Sequence, residues 1–131
     1  MDQNRIQELV KELDLPIQMV RRCLKKFFDE LLVQIEQSGL ERVDAEISKI
    51  LMEWELANFS IAQVLQQNKA TKMKICIKQV NLHDFIKCSI DCYEVLKKRN
   101  ACPLPTLIAK LRRCNAVWLG IEMQLSAKQK K

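Results

Sequence analysis

Glycine is nearly missing from this chain, with two in 131 residues, while proline occurs three times and histidine once. With so few residues that break helices or bend tightly, and with few aromatics, the composition argues against a sheet-rich protein. The lone histidine, His83, is a thin basis for acid–base chemistry. There is no glycine-rich phosphate loop, no serine or cysteine nucleophile with a partnered histidine, and no spaced carboxylate pair, so no catalytic residue is assigned and no enzyme is expected. No apolar run reaches the roughly 20 residues that cross a bilayer. The opening "MDQNRIQELVKELDLP" carries charge where a secretory signal needs an apolar stretch. A soluble intracellular protein with no membrane partner is the expectation.

What the chain does contain is helical material. It is 48% hydrophobic, rich in leucine, isoleucine, lysine, glutamate and glutamine, and long enough for one domain with a modest core. An all-α fold follows, as one helical domain over 1–131. The net charge of +6 favours acidic partners. The six cysteines, Cys23, Cys76, Cys88, Cys92, Cys102 and Cys114, fall mostly inside helical patterns, and without a secretory signal they read as reduced thiols packed in the interior. Cys88 and Cys92 lie one helical turn apart with His83 nearby, but structural zinc sites use closer cysteine pairs and more histidine, so neither metal nor cofactor is assigned.

Apolar spacing divides the chain. Ile6, Leu9, Val10 and Leu13 mark a first helix over 3–13, which "DLP" should stop, with Asp14 as a cap and Pro16 opening the next helix. That second helix runs to Ser38 on the stripe Val20, Leu24, Phe27, Phe28, Leu31 and Ile35, and Gly39 ends it. A third, 43–57, buries Ile47, Ile50, Leu51 and Trp54, and Ser60 caps a short fourth. The alternation of Met73, Ile75 and Ile77 also suits a strand. With no second strand to pair, a fifth helix over 71–80 is preferred. Residues 83–99 form a sixth, with Phe85, Ile86, Ile90, Tyr93 and Leu96 inward. After "NACPLP" a last helix covers about 105–125 and leads into a lysine tail. The core is thus expected at 16–100, with an extra helix at each end.

Two surfaces invite acidic partners. The run "IQELVKELDLPIQMVRRCLKKF" is similar to a helix-turn-helix whose second helix would lay Gln18, Arg21, Arg22 and Lys25 into a major groove, which makes a small DNA- or RNA-binding protein the alternative function. Further basic clusters lie at Lys97–Arg99, Arg112–Arg113 and the terminal lysines. No aromatic residues interleave them for base stacking, so an acidic protein segment fits at least as well.

The middle of the chain carries a longer pattern. In "LKKFFDELLVQI", Leu24, Phe27, Phe28, Glu30, Leu31 and Ile35 keep a definite spacing. Ile47, Leu51, Trp54, Ala57 and Phe59 step toward a capping Ser60. "KICIKQVNL" places Ile77 before a turn, and "CYEVLKK" places Tyr93 near a helix end. Over about residues 20–100 this order resembles the integrase-binding domain of LEDGF and of the related hepatoma-derived growth factor-like protein, a compact right-handed bundle of the TFIIS N-terminal-domain type. The resemblance implies a module that binds short disordered segments of nuclear proteins in transcription and chromatin, with phenylalanine among acidic residues, and hence a nuclear location. It also implies the site: Val80 and Leu82 of a later turn facing Leu40 and Glu41 of an earlier one, Glu41 accepting hydrogen bonds from the visitor's backbone, and Lys78 drawing its acids. Lys78 and Gln79 stand where the family has two arginines, and Val80 where it has an aromatic. Outside the resemblance, Trp118, Leu119 and Ile121 are too apolar for water and are expected to pack, the terminal helices capping the bundle, covering the cleft or joining a homodimer.

Overall fold

The computed structural model of the chain describes residues 3–68, 76–77 and 80–129. Helix α1, Gln3–Lys26, continues through a π-helical turn, Phe27–Leu31, into α2, Leu32–Ser38. A 3-10 turn at Leu40–Arg42 leads to α3, Asp44–Gln67. Two short strands, β1 Cys76–Ile77 and β2 Val80–Asn81, precede α4, Leu82–Lys97. A second 3-10 turn, Arg99–Ala101, leads to α5, Leu104–Gln129. The fold is all-α.

Pairs of residues across the helices show how they lie. Between the first rod (α1 through α2) and α3, Arg5 donates to Asn68 Oδ1, and the Cys23 thiol lies 3.9 Å from the Ile50 carbonyl oxygen. Between α3 and α4 with the turn that follows it, Arg99 meets Asp44, and Trp54 Nε1 donates to Ser89 Oγ at 2.5 Å. Between α4 and α5, the Phe85 and Trp118 rings meet edge-on at 6.3 Å, and Cys92 reaches Cys114. Between α5 and the first rod, Arg21 pairs with Glu122 and Glu36 with Arg112. In each set one residue number rises as the other falls, so neighbouring rods are antiparallel. Four rods close an up-down ring around one core.

The first rod departs from expectation at its proline. A turn at "DLP" would free the backbone, yet α1 runs through Pro16. Proline inside a helix costs about 3 kcal/mol. Leu9, Leu13, Ile17, Val20 and Leu24 form one unbroken buried stripe, and full burial contributes about 1.5–3 kcal/mol for each such side chain. A turn at Asp14 would swing Leu9 and Leu13 off that stripe, so packing outweighs the local rule. The π-helical turn then inserts an extra residue. It lets adjacent residues, Phe27 with Phe28 and Leu31 with Leu32, all reach the interior, and the two phenylalanine rings meet edge-on at 5.1 Å.

The expected break near Ser60 is also absent: α3 is one helix. Ser60 donates its hydroxyl to the Leu56 carbonyl, 3.0 Å, one turn back, instead of capping a new helix, and Phe59 is exposed. Most of the expected fifth helix, 71–80, lies outside the described residues. Its described part is an antiparallel strand pair, Cys76 opposite Asn81 and Ile77 opposite Val80. The missing partner strand was only three residues further on.

In α4 the inward face is Leu82, Phe85, Cys88, Ser89, Cys92 and Leu96, while Ile90, expected inside, is exposed. Ser89 relays a buried network, accepting from Trp54 and donating to Asn58 Oδ1 at 2.9 Å. This gives the indole N–H the acceptor that burial demands. The terminal helices are not additions to a finished bundle. Leu9, Leu13, Leu107, Leu111, Trp118, Ile121 and Leu125 all belong to the common core, and Leu119 alone of the expected trio stays outside.

Candidate partner-binding cleft

The two halves of the expected site do not meet. Gly39, at φ 91°, ends α2 in a conformation that suits glycine. The following 3-10 turn leaves Leu40 half-buried and Glu41 exposed. Val80 and Leu82 stand at the start of α4, whereas the residues that face Leu40 and Glu41 are at its end. The 16 residues of α4 span about 24 Å. Lys78 lies outside the described residues.

Val80 and Leu82 are also not presented to a visitor, for each is only 2% exposed. Asn81 between them is the N-cap of α4, its side chain accepting from the His83 amide at 2.8 Å. Val80 then occupies the position before the cap and Phe85 the fourth helical position, the two places of a hydrophobic staple, and both are buried in the core. An apolar pair around an asparagine in a connection is here a helix start pinned to the interior. That corrects their assignment as surface contacts.

At the other end of α4 an open cleft of about 390 Å³ separates the 39–42 turn from the 99–107 segment. Leu40, Cys102, Leu104 and Leu107 give it apolar walls, and Glu41 stands at its edge. Leu104 is 40% exposed, held between Pro103 and Pro105 at the first turn of α5. A second hollow of about 190 Å³ shares Cys102 and Leu107 with the first and adds Lys98 and Lys110. The two hollows adjoin at Cys102 and Leu107, and Glu94 lines the second beside its two lysines. Leu104, Leu107 and Lys110 escaped sequence reasoning, and Lys98 stood out only as part of the basic cluster Lys97–Arg99. The signal was "CPLP", a leucine between two prolines, where no helical stripe claims it.

Arg99 fixes the cleft's base. Its guanidinium donates to Asp44 Oδ1 at 2.6 Å, Ser48 Oγ at 2.9 Å and the Leu96 carbonyl at 2.9 Å, tying the α4–α5 connection to the first turn of α3. It is buried and spent on these bonds. The hydrogen bond from Arg99 in turn holds the Asp44 carboxyl below its ordinary range.

The alternative nucleic-acid residues share one shallow hollow. Gln18, Arg22 and Lys25 are exposed along α1, and Arg21 is half-buried, donating to both carboxylate oxygens of Glu122 at 2.7 and 3.4 Å. The helix-turn-helix itself is corrected, because α1 contains no turn from Gln3 to Lys26 and Arg21 is already paired. Among the described residues no group of three or more histidine, cysteine, aspartate or glutamate side chains is arranged to hold a metal ion, and no helix is long and apolar enough to cross a membrane.

Comparison with protein-family models, with curated proteins and with solved structures finds no match to this chain.

Proposed function

We propose that the chain is a non-catalytic protein-interaction module that captures a short disordered segment in the cleft between the 39–42 turn and the 98–107 segment. One apolar side chain of the visitor, best a phenylalanine, sits on Leu40, Leu104 and Leu107, and acidic neighbours meet Lys98 and Lys110. The observation that carries this reading is an exposed leucine on the rim of a part-apolar hollow that shares Cys102 and Leu107 with a second hollow lined by two lysines. Exposed apolar side chains beside unpaired surface charge suit a partner that brings both chemistries. Glu41, which lines the same hollow as Leu104, accepts on this reading from the visitor's backbone amides.

The class of partner comes from the resemblance to integrase-binding domains: acidic, phenylalanine-containing segments of nuclear proteins that act in transcription and chromatin. The finer assignment of the bundle to the TFIIS N-terminal-domain type over residues 20–100 belongs to the same proposal. It is supported by the phase of Leu24, Phe28, Leu31, Ile35, Ile47, Leu51 and Trp54, all of which are buried.

The test is fluorescence anisotropy with a labelled peptide carrying phenylalanine among aspartates and glutamates. Leu104→Asp should abolish binding, and Lys98→Glu with Lys110→Glu should weaken it and flatten its salt dependence. Unchanged affinity in both variants contradicts the cleft assignment.

A further inference from the structure

The interface of α4 and α5 holds three thiols that the cleft does not use. Cys88 and Cys92 stand one turn apart on the inner face of α4, and Cys114 comes from α5. Cys92 is fully enclosed, and it stands close enough to both of the others for the three thiols to perturb one another. Cys88 is buried, whereas Cys114 is half-buried and so is the member of the group that a solute meets first.

We propose that Cys114, Cys92 and Cys88 form a thiol–disulfide exchange site for small-molecule disulfides, with Cys114 as the attacking thiol and a cysteine of α4 as the resolving one. The arrangement of an accessible thiol backed by a buried one is what exchange requires. The Cys114 thiolate attacks one sulfur of the disulfide, forms a mixed disulfide and expels the other half as a thiolate. Cys92 then attacks the Cys114 sulfur and expels the second half, which leaves as a thiol with the Cys92 proton. Two protein thiols are oxidised and the small disulfide is reduced to two thiols.

The local charges agree with these roles. Hydrogen bonding from Cys92 pulls the Cys114 thiol below its ordinary value, and the charge of Arg113 works in the same direction against burial and Asp91. Hydrogen bonds to Cys114 and Cys88, together with burial, push Cys92 far up, so it keeps its proton until Cys114 has reacted. Cys92 and Cys114 belong to two packed helices, and their thiols influence each other across the interface. Oxidation therefore joins α4 to α5, roughly two turns along each helix from Lys98 and Leu107.

The test is to treat the reduced full chain with oxidised glutathione and map disulfides by peptide mass spectrometry. The expected product links Cys92 to Cys114. In Cys92→Ala the link should move to Cys88 and Cys114, and in the Cys88→Ala, Cys92→Ala double variant glutathione should remain trapped on Cys114. Cys114→Ser should lose the link, and Cys102→Ser, which removes another half-buried thiol, should keep it. Circular dichroism checks that the alanine variants fold, and the wild-type map stands without them. Glutathione on Cys102 or Cys76 with Cys114 still reduced, or a chain left wholly reduced, overturns the proposal.

Discussion

The two ends of α4 use the same kind of residue for opposite purposes. At its start, Val80 and Leu82 flank a capping asparagine and vanish into the core. At its far end, Leu104 follows a proline-bounded turn and stays in water beside Leu40. An apolar residue in a connection is thus not a site by that fact alone. What separates the cases is the neighbouring backbone: a capped helix start drives its staple inward, while prolines on both sides hold a leucine away from the stripe of the helix it opens.

Substitutions can break this contrast, beginning with the largest effect. Leu82→Asp places a carboxylate where 2% of the side chain meets water. The lost apolar burial together with charge desolvation should cost more than about 4 kcal/mol, close to the whole stability of a small domain, and denaturant unfolding should find little folded protein. Arg99→Leu removes three hydrogen bonds at the base of the cleft and should cost about 2 kcal/mol in the same measurement. Because Arg99 lowers the Asp44 carboxyl in the folded state, that stabilisation is complete above the ordinary carboxyl range and fades as pH falls through it. The wild type should therefore lose stability on acidification faster than Arg99→Leu.

Asn81→Ala removes the cap bond to the His83 amide and should cost about 1 kcal/mol, visible as a lower midpoint with unchanged slope. Leu104→Asp, at the exposed end, should shift stability by less than about 0.5 kcal/mol. Its effect belongs to binding. A Leu104 variant that unfolded like Leu82→Asp would erase the distinction between the two ends.

Much of the fold is legible in the sequence. The stripe from Val20 to Ile35, the stop at Gly39, the inward Trp54 and the break at "NACPLP" all hold, because each depends on local spacing or on a residue with a fixed backbone preference. Pro16 misled because its local rule competes with a stripe that continues on both sides, and only packing against α3 decides between them. The strand pair was missed because its partner lay within the same segment. The surroundings of Leu40 and Glu41 were not legible. Leu40 and Glu41 do line the cleft, but the residues opposite them come from the α4–α5 connection, and spacing along the chain says nothing about which turn of a closed ring lies at the same end.

The central claim is that the visitor binds at the 39–42 and 98–107 end of the bundle and leaves the capped end of α4 alone. An amide NMR titration with the acidic phenylalanine peptide, run beside a short DNA duplex, tests it directly. The account predicts peptide shifts clustered on Leu40, Glu41, Lys98, Leu104 and Lys110, with Val80, Leu82 and His83 unmoved. Shifts centred on Val80 to His83, or along Gln18 to Lys25 with DNA and none with peptide, would contradict it.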